Sequence, residues 1–182
     1  MQSEISKPKV GISSCLMGQA VRYDGAAKYS RLCMEELREC FEFVSTCPEL
    51  GAGLGVPRPP LRLVGEPAAP RMVQVAAPGT DMSHALRAYA AQRMPQLAEL
   101  CGYIFMPNSP SCGLSGVALY RADGSLHEGG TRGLFAAALL AAYPDLPVEE
   151  EPRLYDRGLR AQFIARVMAL HRQRAAALHA LD

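Results

Sequence analysis

Six cysteines are the residues of this chain best suited to redox, metal or nucleophilic chemistry. Three of them, Cys33, Cys40 and Cys101, fall on the apolar stripes of predicted helices, where a thiol usually packs as a small hydrophobic side chain. No two cysteines follow a C-x-x-C spacing, which argues against a zinc ribbon and against a thioredoxin-type motif. The remaining three thiols are therefore the candidates for a functional site.

These three cysteines, Cys15, Cys47 and Cys112, share a local setting. Each lies just past a predicted strand or in the loop that follows it, and each has Gly or Pro within the next three residues. Because the carboxyl ends of parallel strands gather at one edge of an α/β sheet, thiols that are far apart in sequence can converge there. Three converging thiolates suit a soft metal ion or an iron–sulfur cluster. The pattern alone is equally compatible with three unrelated loop thiols.

Polar residues beside these cysteines are candidates for substrate binding or proton transfer. Arg22 and Asp24 could hydrogen-bond to a substrate, although a surface turn explains both of them as well. Glu49 could act as a general acid or base, or could cap the glycine-rich turn that follows it. Ser109 could orient water or relay a proton, and Ser111 could bind substrate, but serine is also common in turns.

The expected secondary structure alternates strands with helices. Strands are predicted at residues 10–13, 43–46, 61–64, 72–76, 103–106 and 117–120. Helices are predicted at residues 30–41, at 83–101 with a break at Pro95, at 134–142 after a Thr131 cap, and after an Asp156 cap. This order predicts an α/β fold with a mostly parallel, Rossmann-like sheet flanked by helices.

Length and composition indicate a globular protein of one domain. The 182 residues predict a single domain over 1–182, with a motif region at about 8–150 and a C-terminal helical extension at about 151–182. The net charge of +1 supplies no field for binding duplex nucleic acid. The N-terminus lacks the apolar run of a secretory signal, and the longest apolar stretch, 134–143, is shorter than the roughly 20 residues that span a bilayer. We therefore expect a cytoplasmic protein without a membrane partner, whose cysteines are thiols or metal ligands rather than disulfides.

Several short motifs occur in an order that resembles one known family. They are I-S-S-C-L-M-G at 12–18, V-R-Y-D-G at 21–25, C-P-E at 47–49, G-V-P-R-P-P at 55–60, S-P-S-C-G at 109–113 and E-E-E-P-R-L-Y-D at 149–156. Over roughly residues 8–168, the chain resembles the bacterial thiouracil desulfurase family. That family often has glycine where this chain has Pro152, a departure that lies away from the cysteine motifs.

The resemblance implies a [4Fe–4S] cluster held by Cys15, Cys47 and Cys112, with one iron left free for the sulfur of the substrate. It also implies catalytic roles for Glu49 and Ser109. The implied reaction is a hydrolytic, non-redox desulfuration of a small thiolated nucleobase such as 2-thiouracil, which gives uracil and hydrogen sulfide. Two alternatives stand beside it: a non-enzymatic iron–sulfur or zinc protein that handles sulfur, and a sulfurtransferase that carries a persulfide.

Overall fold

The computed structural model describes residues 6–179, so the ends of the predicted domain, 1–5 and 180–182, lie outside the described residues. Along this range the strands are β1 (Lys9–Ser13), β2 (Glu42–Thr46), β3 (Leu61–Glu66), β4 (Ala69–Gln74), β5 (Gly102–Phe105), β6 (Leu119–Tyr120) and β7 (Val148–Glu150). The helices are α1 (Pro48–Gly51), α2 (Ser83–Arg93), α3 (Leu134–Ala142) and α4 (Arg157–His179).

The main sheet is parallel and has the strand order β2-β1-β5-β7. The chain leaves β1 for a neighbour on one side, β2, and later returns to a neighbour on the other side, β5. Such a reversal is a topological switch point, and ligands of open α/β sheets bind outside the carboxyl ends of the strands that flank it. The predicted α/β fold with a mostly parallel sheet is confirmed, and its strand order places a binding crevice above β1 and β5.

A second, smaller sheet has the order β4-β3-β6. Strands β3 and β4 form an antiparallel hairpin from Leu61↔Gln74 to Glu66↔Ala69, and β6 pairs in parallel with β3. The two strands predicted at 61–64 and 72–76 do pair, but both continue further into the turn than the sequence indicates. The strand predicted at 117–120 is shortened to Leu119–Tyr120.

Helices α2, α3 and α4 lie at predicted positions, whereas the helix predicted at 30–41 is not regular. Over 30–41 a π turn at Leu32–Glu36 and a 3-10 turn at Leu37–Glu39 replace a regular helix. The break predicted at Pro95 is present, because α2 ends at Arg93 and a 3-10 turn follows. Helix α4 has the expected cap, since the Leu159 N–H donates to the Asp156 Oδ1 at 2.9 Å. No helix within residues 6–179 is both long and apolar enough to cross a membrane.

The predicted cap of α3 is wrong. The helix begins two residues later than a Thr131 cap requires, and Gly133 occupies the N-cap position in an extended conformation. A Cβ at Gly133 would lie 2.5 Å from the Ser111 carbonyl oxygen. Position 133 therefore requires glycine because the backbone lies close to the loop before Cys112. The N-terminus of the helix is not capped by a side chain.

Both faces of the main sheet are covered. On one face, Val10 and Ile12 of β1 pack with Leu37, Phe163 and Val167. The opposite face forms a second core cluster, which includes Tyr103 and Phe105 of β5, Ala90, Leu97, Phe135 and Leu139. Helix α4 thus contributes to the core of the sheet, while the proposed division into a motif region and a helical extension stays a prediction.

One glycine in β1 makes room for an aromatic ring of the neighbouring strand. A Cβ at Gly11 would lie 2.2 Å from the Tyr103 ring, so only glycine lets that ring lie across β1. The Tyr103 ring then stacks on Phe105 with a centroid distance of 4.2 Å. This packing buries the whole Tyr103 side chain in the sheet below the crevice.

Candidate active site

The carboxyl ends of β1, β2 and β5 open into one cavity of about 440 Å³. This volume lies within the range of small-molecule binding sites. Cys15, Cys47 and Cys112 all line the cavity, together with Glu49 and Ser109. The structure therefore brings together thiols that are distant in sequence, at the edge of the sheet where the strand ends predict them.

Each cysteine is held by the backbone that follows its strand. After β1 the chain turns sharply to Gly18, which has a φ of 85° and donates its N–H to the Cys15 carbonyl oxygen at 3.1 Å. Cys47 lies between β2 and α1 in an extended conformation. The Cys112 N–H donates to the Ser109 Oγ at 3.0 Å, which fixes the loop after β5. Three short, hydrogen-bonded turns thus place the three sulfur atoms.

The cavity thiols are withdrawn from water. Burial is the main cause that raises the pKa of the Cys15, Cys47 and Cys112 thiols above the ordinary value. The Cys47 thiolate also raises the pKa of Cys15, and both of them raise the pKa of Cys112. Without a metal, these groups therefore stay protonated at neutral pH, and binding of a metal group must release their protons.

The three thiols are soft ligands of the kind that iron–sulfur groups use. Within residues 6–179, no three His, Cys, Asp or Glu side chains are placed to share one metal ion. An iron–sulfur cluster instead binds each thiolate to a separate iron, so its ligands can stand further apart around a cavity. The other charged residues of the cavity wall are Arg22, Lys28, Arg58 and Glu49, a cationic surplus that complements an anionic thiolate-ligated group.

Glu49 is a buried carboxylate with partners on both oxygens. The residue is 9% exposed, and its Oε1 accepts a hydrogen bond from the Ser111 hydroxyl at 2.7 Å. Its Oε2 pairs with Arg58, with Nη2 at 2.6 Å and Nε at 2.7 Å. These contacts fix the plane of the carboxylate, while Oε1 keeps a further lone pair for a ligand.

Arg58 is the functional candidate that the sequence analysis missed. Besides Glu49, its guanidinium donates to the Gly55 and Val21 carbonyl oxygens at 2.9 and 3.0 Å. Its backbone N–H donates to the Tyr23 carbonyl oxygen at 2.9 Å. A buried arginine therefore joins the loop after Cys47 to the loop after Cys15, and the only hint in the sequence is a lone cation in a proline- and glycine-rich segment.

We predict a large loss of stability for Arg58→Ala. The substitution leaves the Glu49 carboxylate buried without its cation, which costs about 3–5 kcal/mol of the free energy of unfolding. Urea unfolding followed by circular dichroism measures the change. Arg71→Ala is the matched control, because its ion pair with Asp81 is exposed and its removal costs at most about 1 kcal/mol. Equal changes for the two variants would contradict a structural role for the buried pair.

The two serines of the third loop have different partners. The Ser109 Oγ accepts the N–H groups of Ser111 and Cys112 at 3.2 and 3.0 Å, so its own proton is available to a ligand. Ser111 instead donates to Glu49 and is 1% exposed. Of the two, Ser109 is therefore the more accessible to a ligand and Ser111 supports the carboxylate.

The first loop contributes to the rim of the cavity. Arg22, Tyr23 and Lys28 line it, and the Tyr23 side chain is 42% exposed. Asp24 lies outside the cavity wall, where its Oδ1 accepts the Ala26 N–H at 3.0 Å and lies 3.8 Å from the Arg22 Nε. Of the residues singled out from the sequence, Asp24 is thus the one whose contacts are those of a surface turn.

A parallel α/β sheet with a thiol-lined cavity at its switch point defines a class of small-ligand and metal-binding proteins. Within this class, the family profile described as 2-thiouracil desulfurase matches residues 10–151. The chain belongs to the 2-thiouracil desulfurase family, as the motifs around the three cysteines predict.

Two individual proteins are similar to the chain. The uncharacterized protein YbbK of Bacillus subtilis (strain 168) is 32% identical in an alignment 111 residues long, and the match covers 56% of this chain and 71% of YbbK. The solved structure of the [4Fe-4S]-dependent thiouracil desulfidase TudS is 28% identical, with a TM-score of 0.66, and the match covers 86% of this chain and 99% of TudS. The shared fold therefore extends over nearly all of TudS.

Proposed function

We propose that this protein is an iron–sulfur-dependent enzyme that hydrolyses the C=S bond of a small thiolated nucleobase such as 2-thiouracil. The observation that carries the proposal is the shared cavity, which three cysteine thiols and a buried, hydrogen-bonded carboxylate line together. Membership of the desulfurase family supports the same chemistry, as does the likeness to a protein described as a [4Fe-4S]-dependent desulfidase.

Cys15, Cys47 and Cys112 are the proposed ligands of a [4Fe–4S] cluster. When bound through three cysteines, such a cluster supplies one iron without a protein ligand, a soft Lewis acid suited to thiocarbonyl sulfur. Arg22 and Lys28 at the rim add positive charge that favours an anionic sulfur group in the cavity.

Glu49 is the proposed general base. A water molecule beside the carboxylate loses a proton to it and attacks the thiocarbonyl carbon, and the C–S bond breaks as the C=O bond forms. Arg58 and Ser111 hold the carboxylate in one orientation during this step, since they engage one oxygen each. One thiocarbonyl and one water give one carbonyl and one hydrogen sulfide, so the reaction needs no electron donor or acceptor.

Ser109 is the proposed proton donor to the substrate. Its oxygen already accepts two backbone N–H groups, so the hydroxyl proton points to a partner outside the loop. A hydroxyl at the cavity wall can hydrogen-bond to a ring nitrogen of the nucleobase or to the departing sulfur.

The burial of the cavity thiols favours a cluster enzyme over a persulfide carrier. A persulfide-forming cysteine needs a thiolate at neutral pH, whereas burial raises the pKa of all three cavity thiols. The six cysteines are free thiols, which suits the reducing cytoplasm that we propose as the location. The protein has a net charge of only +1, which is too small to attract duplex nucleic acid. A small thiolated molecule is therefore the better substrate.

Anaerobic reconstitution with iron and sulfide tests the proposal. We expect a visible thiolate-to-iron charge-transfer band, and release of sulfide and uracil from 2-thiouracil in equal amounts. The metal-free protein is the control, and we expect it to release neither product. Sulfide release by metal-free protein would exclude the cluster mechanism, and a bound cluster without turnover would leave a sulfur-handling protein.

A further inference from the structure

Two buried hydroxyl groups beneath the cavity lack partners. Among residues 6–179, the Thr46 Oγ1 and the Tyr103 hydroxyl are buried and form no hydrogen bond. Thr46 is 3% exposed and Tyr103 is fully buried. A hydroxyl that leaves water without a new partner costs free energy, so such groups in a folded protein call for an explanation.

Both hydroxyls lie next to the proposed cluster ligands. Thr46 is the last residue of β2, precedes Cys47 directly and lines the cavity. Tyr103 lies on β5 with its ring across Gly11, and its hydroxyl is close to Thr46 and to Cys112. The two hydroxyls are neighbours close enough to interact, although neither makes a hydrogen bond of full geometry.

The Tyr103 hydroxyl is a permanent donor. Complete burial raises its pKa well above the ordinary value. The phenol therefore keeps its proton, and a partner for it must be an acceptor. The Thr46 hydroxyl can also act as a donor. The sulfur atoms of an iron–sulfur group in the cavity would be suitable partners, because they accept hydrogen bonds and donate none.

The Ser13 hydroxyl is a third donor on the sulfur side of the cavity. Ser13 pairs with Thr46 in the register of β1 and β2, and its Oγ accepts the Met106 N–H at 3.0 Å. Its remaining proton is available to the Cys112 thiol, which lies next to it. The ends of β1 and β2 therefore present adjacent hydroxyl donors to the sulfur side of the cavity.

We propose that the Thr46 hydroxyl donates a hydrogen bond to a sulfur atom of the iron–sulfur group in the cavity, and that Tyr103 donates to Thr46 in turn. This inference rests on the proposed function only in requiring an iron–sulfur group there. Hydrogen bonds to the sulfur atoms of a cluster stabilise its more negative, reduced form and raise its reduction potential. Thr46 and Tyr103 are thus tuning residues, which set the electron density of the cluster without touching the substrate.

Thr46→Val and Tyr103→Phe test the inference, because each removes one hydroxyl and nearly preserves the shape of the side chain. In reconstituted protein we expect Thr46→Val to shift the midpoint potential of the cluster to more negative values and to change its Fe–S stretching frequencies in resonance Raman spectra. Tyr103→Phe should produce a smaller shift in the same direction. Tyr143→Phe is the control, because its hydroxyl already donates to the Met94 carbonyl oxygen and lies outside the cavity wall, so no shift is expected.

The outcomes separate this inference from the proposed function. A wild-type protein that binds no cluster overturns both. A wild-type cluster whose potential and Raman frequencies are unchanged in Thr46→Val and Tyr103→Phe overturns the tuning role alone. If Thr46→Val binds less cluster than the wild type, thermal unfolding of the metal-free variant separates loss of a cluster contact from loss of stability. A melting temperature at or above that of the wild type supports the inference. A lower melting temperature assigns Thr46 a structural role and overturns the inference.

Discussion

Cys112→Ser is expected to abolish cluster binding and desulfuration together. Serine replaces a soft sulfur ligand by a hard hydroxyl that does not ionise in a cavity where even the thiol pKa is raised by burial. A cluster held by Cys15 and Cys47 alone would lack its third protein ligand. We expect iron content and the visible absorption band to fall to background after anaerobic reconstitution, and sulfide release to become undetectable.

Cys40→Ser is the matched control for that experiment. Cys40 is half-buried beside the first core cluster and does not line the cavity. The variant should bind iron and release sulfide like the wild type. If Cys112→Ser kept the absorption band, or if Cys40→Ser lost it to the same degree, the assignment of the cavity cysteines as ligands would be wrong.

Glu49→Gln is expected to keep the cluster and to lose turnover. The amide oxygen can still accept from Arg58, and the amide nitrogen can donate to the Ser111 oxygen, so the local hydrogen bonds survive the substitution. The amide cannot accept a proton from water at neutral pH. Because a positioned general base typically contributes about 10²–10⁴-fold, we expect kcat to fall by roughly that factor with the absorption spectrum unchanged.

Glu99→Gln serves as the control for the carboxylate. Glu99 pairs with Lys9 at the opposite end of β1, and its side chain is 78% exposed. Steady-state sulfide release should therefore be unaffected by this variant. A Glu49→Gln protein with normal kcat would exclude Glu49 as the base and would move attention to Ser109.

The convergence of the three proposed cluster ligands could be predicted from sequence because it depends on a general property of parallel sheets. Cys15, Cys47 and Cys112 each follow a strand of the same sheet, and the strands all point to one edge. Predicting this convergence required the positions of the strands in the sequence but not their order in the sheet. Helix α2 and its end near Pro95 were predictable for a similar reason, since the apolar period and the proline act locally.

The partners of Glu49 could not be predicted, because they depend on how separate loops lie against one another. Ser111 follows Glu49 by 62 residues, and Arg58 also contacts Val21, 37 residues before it. No local pattern encodes these contacts. The same limit explains the wrong cap at Thr131, since Gly133 is selected by a close approach to a different loop.

The wide separation of Cys15, Cys47 and Cys112 along the chain has a consequence for biosynthesis. A ferredoxin-type run of cysteines can bind iron while the chain is still short and unfolded, because its ligands are neighbours. Here the shortest segment that contains all three proposed ligands runs from Cys15 to Cys112 and includes strands β2 and β5 of the main sheet. The proposed cluster site can therefore form only after the loop that follows β5 has left the ribosome and the main sheet has brought the three cysteines to one edge. Assembly of the proposed cluster thus follows folding of the sheet rather than preceding it.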